Sequence, residues 1–136
     1  LDLIKFKGTR FIDDTYNSNP LSLSCALKAL SAIKCKGRRI LIMGDMLELG
    51  VRKESLHRQI AGSITKICDL LITVGGLAKL TALEANALGL KKENIFCCAS
   101  TLEARDLLFE KINPQEADLI LIKGSRSMKM EEVFKV

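Results

Sequence analysis

Three short runs constrain this chain most: Ile40-Leu41-Ile42-Met43, Leu70-Leu71-Ile72-Thr73-Val74 and Leu119-Ile120-Leu121-Ile122. A strand with one wet face alternates apolar and polar side chains. A near-continuous apolar run instead predicts a strand covered on both faces, as in a parallel sheet flanked by helices. Two further β-rich runs, residues 4–7 and 10–13, are joined by Gly8-Thr9 and predict a hairpin leading into the domain. A weaker sixth run covers residues 94–98.

Helical periods fill the gaps. Leu23, Leu27, Leu30 and Ile33 recur every three or four residues, as do Leu56, Ile60, Ile64 and Ile67. Leu80, Leu83 and Ala87 form a third series, and Leu108, Phe109 and Ile112 a fourth. Asn19-Pro20 reads as a cap with proline at the first helical position, and Ser100-Thr101 precedes another helix. Gly37 and Gly89 are expected as C-cap glycines. The alternation predicts an α/β domain over residues 1–136. Its expected form is a Rossmann-like, doubly wound, mostly parallel sheet of about six strands, with helices on both faces and an N-terminal hairpin-like strand.

Composition narrows the function classes. Hydrophobic residues make up 48% of the 136, enough for a core. No run approaches the ~20 apolar residues of a membrane helix, and LDLIKFKGTR does not have the pattern of a signal peptide. The chain opens on Leu1 rather than methionine and is read as part of a longer protein. A net charge of +5 suits an anionic partner, but aromatics are only 4% and no Lys/Arg block is dense, which disfavours nucleic acid. Five cysteines without a CxxC read as reduced, mostly buried thiols of a cytoplasmic protein. One histidine and an adjacent Cys97-Cys98 make no zinc pattern.

In a doubly wound sheet, ligands bind at loops leaving the carboxyl ends of strands. Four such loops carry unusual residues: 13–20, 44–50, 74–76 and 123–127. Neither GxGxxG nor GxxxxGK[ST] occurs, so the chain has no phosphate-cradling loop of its own. In the first loop a carboxylate could accept from ribose hydroxyls, and Asn17 and Asn19 could pair with a purine edge. Asp14 and Asn19 could equally be turn and cap residues. In the last loop, Lys123, Ser125, Arg126 and Ser127 precede an expected short final helix whose N-terminus would suit a carboxylate or phosphate; a simple cap is the alternative. Met46, Leu47 and Leu49 line a pocket, meet another domain or cap the core. His57, the lone histidine, is a candidate for positioning substrate or a structural residue. Gly75-Gly76 admits a ligand close to the backbone or makes a tight turn.

Taken together, the segments DDTYNSNP at residues 13–20, MGDMLELG at 43–50, the following His57, and IKGSRSM at 122–128 resemble the Mur ligase family in order and spacing. The resemblance covers essentially the whole chain, as the C-terminal domain of an enzyme whose N-terminal and central P-loop domains lie outside it. Within the family these motifs are most similar to the member that joins D-alanyl-D-alanine to UDP-N-acetylmuramoyl-tripeptide.

The resemblance implies an ATP-dependent amide ligase of peptidoglycan synthesis, using Mg2+, in which the peptide carboxylate becomes an acyl phosphate that the dipeptide amine attacks. It implies that Asp14 contacts the ATP ribose, with Tyr16 and Asn17 beside the nucleotide. Lys123, Ser125, Arg126 and the segments 45–50 and 75–76, with Asp45 and Gly75 foremost, would hold the amino component, and the dipeptide carboxylate would be met by Lys123 and Arg126. No catalytic residue or metal ligand is expected in this chain, because the P-loop lysine, the magnesium ligands and the modified lysine belong to the central domain. The partners implied are ATP, both peptide substrates and the protein's own other domains. Two positions depart from the family pattern: Ser18 stands where the usual motif has Ala, and Ser127 where many relatives carry Gly. Another Mur-type or folylpolyglutamate synthetase-like ligase, or a free-standing nucleotide-binding module, remain the alternatives.

Overall fold

A computed structural model describes residues 2–135. Its sheet has six strands: β1 (Asp2–Phe6), β2 (Thr9–Asp14), β3 (Arg39–Gly44), β4 (Leu70–Val74), β5 (Ile95–Cys98) and β6 (Leu119–Lys123). They lie in the order β1-β2-β6-β3-β4-β5. Only β1 is antiparallel, turning back on β2 so that Phe6 faces Thr9. The continuously apolar runs are β3, β4 and β6, the central strands of the sheet, so the covered parallel sheet expected from them is the one that forms.

Pleat alternation splits each central strand between two cores. Ile12, Leu41, Met43, Leu71, Leu119 and Leu121 pack under α1 (Pro20–Ala32), α2 (Lys53–Gln59), α3 (Ala61–Ile67) and α4 (Gly76–Ala87). Phe11, Ile40, Ile42, Ile72, Ile120 and Ile122 pack under α5 (Thr101–Asp106) and the C-terminal turns. Four of the five phenylalanines, Phe6, Phe11, Phe109 and Phe134, cluster on that second face with ring centroids 5.3–6.5 Å apart. Edge-to-face contacts of this kind add to simple burial and fasten the hairpin to the last turn.

The chain leaves β2 and β3 toward the first face and β6 toward the second, where Met130 and Val133 are buried. Adjacent strands whose exits diverge open a crevice at their carboxyl ends. That crevice flanks β6.

Several local expectations are corrected. The series from Leu56 to Ile67 is two helices with a junction at Ile60, beside Gly62-Ser63, where a helix bends at little cost. Helix α4 buries Ala78, Thr81, Ala82 and Ala85, while Leu83 is 55% exposed. Its close packing against β4, α2 and α3 selects small residues over the leucines. The series ending at Ile112 runs through a π-helical turn, Leu107–Ile112. Gly89 does follow α4 with φ +116°, but Gly37 caps nothing. A Cβ there would meet Asp118 Oδ1 at 2.5 Å, so glycine lets the loop pass over Asp118. The expected final helix is a pair of 3-10 segments, Arg126–Met128 and Met130–Phe134, broken at Lys129 with φ +51°. All five thiols are free, yet Cys25 and Cys97 are exposed. Burial pushes Cys68 up to about 12 and, with Glu103 and Cys97 nearby, Cys98 up to about 11.

Candidate functional site

At the carboxyl end of β2, Asp14 stands in register with Lys123 of β6. The Lys123 side chain is fully buried, with Nζ 2.9 Å from Asp14 Oδ2. The same ammonium donates to the Asn17 carbonyl. The reading of Lys123 as a cation facing an anionic guest is thereby corrected. A buried ammonium needs its partners, and here they are the neighbouring loop rather than solvent. Asp14 keeps 20% of its side chain accessible, so one carboxylate edge is tied down and the other is open.

Above this pair lies a cleft of about 490 Å3. Residues 16–18 form one wall, 125–127 the opposite wall, and Leu47 and Glu48 the third. The Arg126 guanidinium sits over the Tyr16 ring, 5.3 Å from its centroid, so the first and last loops touch. Three of the four loops singled out in the sequence therefore meet in one place. Ser18 Oγ is buried without a hydrogen-bond partner, as is Asp13 Oδ1 on the other face. Asn19 is absorbed by capping: its side chain accepts from Ser22 N at 2.8 Å, and its own N–H donates to Ser22 Oγ at 3.0 Å.

Asp45 and Gly75 form a separate corner. Asp45 Oδ1 accepts from the Ala78 N–H at 2.6 Å, so its carboxylate occupies the N-terminus of α4. Gly75 turns at φ +106°, and a Cβ there would meet the Asp45 carboxylate at 2.5 Å. The pair closes the turn between β4 and α4 and leaves that helix end no vacant donor at Ala78. Gly75, Gly76 and Lys79 instead border a cavity of about 360 Å3 shared with residues 97–99.

His57 lies behind both, fully buried. Its Nε2 accepts from the Met46 N–H at 2.9 Å and its Nδ1 lies 2.6 Å from the Lys53 carbonyl, which together require the Nδ1–H tautomer. Its backbone carbonyl accepts from Thr81 Oγ1 at 2.7 Å. Both ring nitrogens are spent on the fold, so the substrate-contact option for His57 is set aside; it anchors the loop after β3. In that loop Met46 is buried and Leu49 packs on the first core, while Leu47 reaches the cleft.

The sequence marked Glu48 only as one of two carboxylates, with Asp45, mixed among Met46, Leu47 and Leu49 in an unusual loop. Glu48 adopts φ +61° and, among the described residues, supplies the only carboxylate lining the cleft. The cleft thus presents a cation, Arg126, an anion, Glu48, and the hydroxyls of Ser125 and Ser127, which lie 3.4 Å from each other. Opposite charges around one small cavity suit a zwitterion.

A family model described as "Mur ligase, glutamate ligase domain" matches residues 1–126. The chain belongs to the Mur ligase family. This Mur ligase domain is 37% identical over 139 residues to the UDP-N-acetylmuramoyl-tripeptide–D-alanyl-D-alanine ligase of Bacillus subtilis (strain 168), covering 99% of the chain and 29% of that protein. It is 36% identical to the Escherichia coli (strain K12) enzyme of the same name, covering 91% of the chain and 26% of that protein. Among solved structures, a MurF crystal structure from Acinetobacter baumannii superposes with a TM-score of 0.82 at 31% identity, over 98% of the chain and 29% of that protein. MurF from Thermotoga maritima, solved with ADP, shares the fold with a TM-score of 0.76 at 22% identity, over 97% of the chain and 28% of that protein. The Mur ligase domain spans less than a third of the length of each of these relatives.

Proposed function

We propose that this chain is the C-terminal domain of an ATP-dependent amide ligase that adds D-alanyl-D-alanine to UDP-N-acetylmuramoyl-tripeptide in the cytoplasm. The observation that carries the reading is the cleft, where the loops of all three Mur-like motifs converge around opposite charges. The full names of the curated relatives support the choice of substrates, and five free thiols suit a reducing compartment.

In this reading the accessible edge of Asp14 accepts from the ATP ribose, with Tyr16 and Asn17 beside the nucleotide. Arg126, with Ser125 and Ser127, takes the carboxylate of the dipeptide. Glu48 faces its ammonium and holds it; once a proton has passed from it to solvent water, the neutral amine attacks the acyl phosphate. That attack forms the amide through a tetrahedral intermediate and expels phosphate. Asp45, Gly75 and His57 fix the loop that carries Glu48. Positioning of this kind converts an encounter of two substrates into a reaction within one complex. Among the described residues no cluster of three or more His, Cys, Asp or Glu side chains is placed to hold a metal ion. Magnesium would be held by residues outside this chain and would offset the charge of the transferring phosphoryl group.

The test is phosphate release by the full-length protein, obtained by reading the gene upstream of residue 1. Turnover should require ATP, the nucleotide-linked tripeptide and D-alanyl-D-alanine together, and the 136-residue chain alone should show none. Use of D-glutamate or a diamino acid in place of the dipeptide would overturn the reading.

A further inference from the structure

Lys123 is the largest polar side chain buried completely in this domain, and it is absent from the residues lining the cleft. Its ammonium is turned to the neighbouring loop and not to the cleft. Its partners are what matter: Asp14 Oδ2 at one end of a four-residue span and the Asn17 carbonyl at the other. One ammonium therefore staples the loop that carries Asp14, Tyr16 and Asn17. Among the described residues, little else holds residues 15–18. Ser18 Oγ has no partner, and the Arg126 to Tyr16 Oη contact is long at 3.5 Å.

We propose that Lys123 is a positioning residue for the nucleotide rather than a contact of the amino component. It pins one oxygen of Asp14, keeps that carboxylate aimed, and sets the turn from which Tyr16 and Asn17 enter the cleft. A buried ammonium deprived of either partner is costly, so the loop stays in this shape while β6 is in the sheet. The inference rests on the nucleotide reading given above for Asp14.

The experiment uses the full-length ligase and two separate readouts: calorimetric titration with ATP, and the KM for D-alanyl-D-alanine. Lys123→Met should weaken ATP binding by about tenfold or more, the scale of one well-placed interaction, and leave the dipeptide KM within about twofold. Asp14→Asn should do the same. The double variant should bind ATP no worse than the weaker single, because both changes break one unit. A raised dipeptide KM with unaltered ATP binding, or additive losses in the double variant, would overturn the proposal. If Lys123→Met leaves an uncompensated carboxylate and fails to fold, the double variant, which removes both charges, carries the test. It must then match Asp14→Asn alone. If the wild-type protein binds ATP but does not ligate the dipeptide, the substrate reading fails while the titration still decides the role of Lys123.

Discussion

The corner at Asp45, Gly75 and His57 and the cleft at Tyr16, Glu48 and Arg126 lie on neighbouring loops but are built in opposite ways. In the corner the polar atoms described find protein partners: Asp45 takes a helix N–H, His57 uses both ring nitrogens, and Gly75 leaves room for the carboxylate. In the cleft Arg126 and Glu48 form no ion pair among the described residues, Arg126 rests on an aromatic face, and Ser18 has a buried hydroxyl with nothing to bond. A satisfied cluster holds shape, whereas an unsatisfied one of mixed charge awaits a guest. The difference teaches that motif residues of similar chemistry divide into scaffold and contact according to where their hydrogen bonds go.

The sharpest way to break that division is to force the corner open. Gly75→Ala puts a methyl group on the Asp45 carboxylate in a left-handed turn, and should cost about 2–4 kcal/mol in denaturant unfolding. Loss of less than about 0.5 kcal/mol would mean that the turn is soft. His57→Ala removes a buried acceptor and its packing, with an expected cost of about 2–3 kcal/mol by the same measurement. In the full-length ligase the dipeptide KM should rise with it, because the loop bearing Glu48 loses its anchor.

Cleft variants should behave in reverse. Arg126→Ala and Glu48→Gln should leave stability within about 0.5 kcal/mol, as exposed substitutions do. Each should raise the dipeptide KM by about tenfold, one interaction's worth. The Arg126 variant should also cease to distinguish the dipeptide from its C-terminal amide.

The smallest effect concerns the far end of the strands, where Asp118 and Arg38 are 2.8 Å apart. Burial alone would raise the Asp118 carboxyl. The Arg38 side chain and the backbone N–H groups of Gln115 and Arg38 outweigh it and hold the group below its ordinary 3.8. A carboxyl depressed on folding adds stability that is present above the unfolded value and lost as pH falls through the folded one. Acid unfolding of the wild type should therefore steepen below about pH 4. Asp118→Asn should flatten that limb without altering either half of the site.

Much of this was legible from residues alone. The strands β3, β4 and β6 announced themselves because burial on both faces leaves no polar positions. Asn19-Pro20 and Ser100 announced helix starts because their caps are local. What was hidden depends on neighbours distant in sequence. Lys123 looked like a free cation because nothing nearby in the chain shows that Asp14, more than a hundred residues earlier, lies in register with it. The buried face of α4 was misjudged because a close-packed helix prefers alanine to leucine. The three motifs correctly marked the loops that meet, but not which of their residues are spent on the fold.

The sheet order has a consequence for how the domain comes into being. β6 is the last strand in the sequence, yet it fills the middle of the sheet, between β2 and β3. During synthesis, everything up to residue 118 can emerge with those two strands still lacking their shared neighbour. Pairings so distant along the chain are slow to form and leave strand edges bare in the meantime. The event that ends this exposure is the arrival of β6, which brings Lys123 to Asp14. Completion of the fold and fixing of the 14–17 loop are thus one step, so a chain stalled before that strand would be sticky and would lack the cleft.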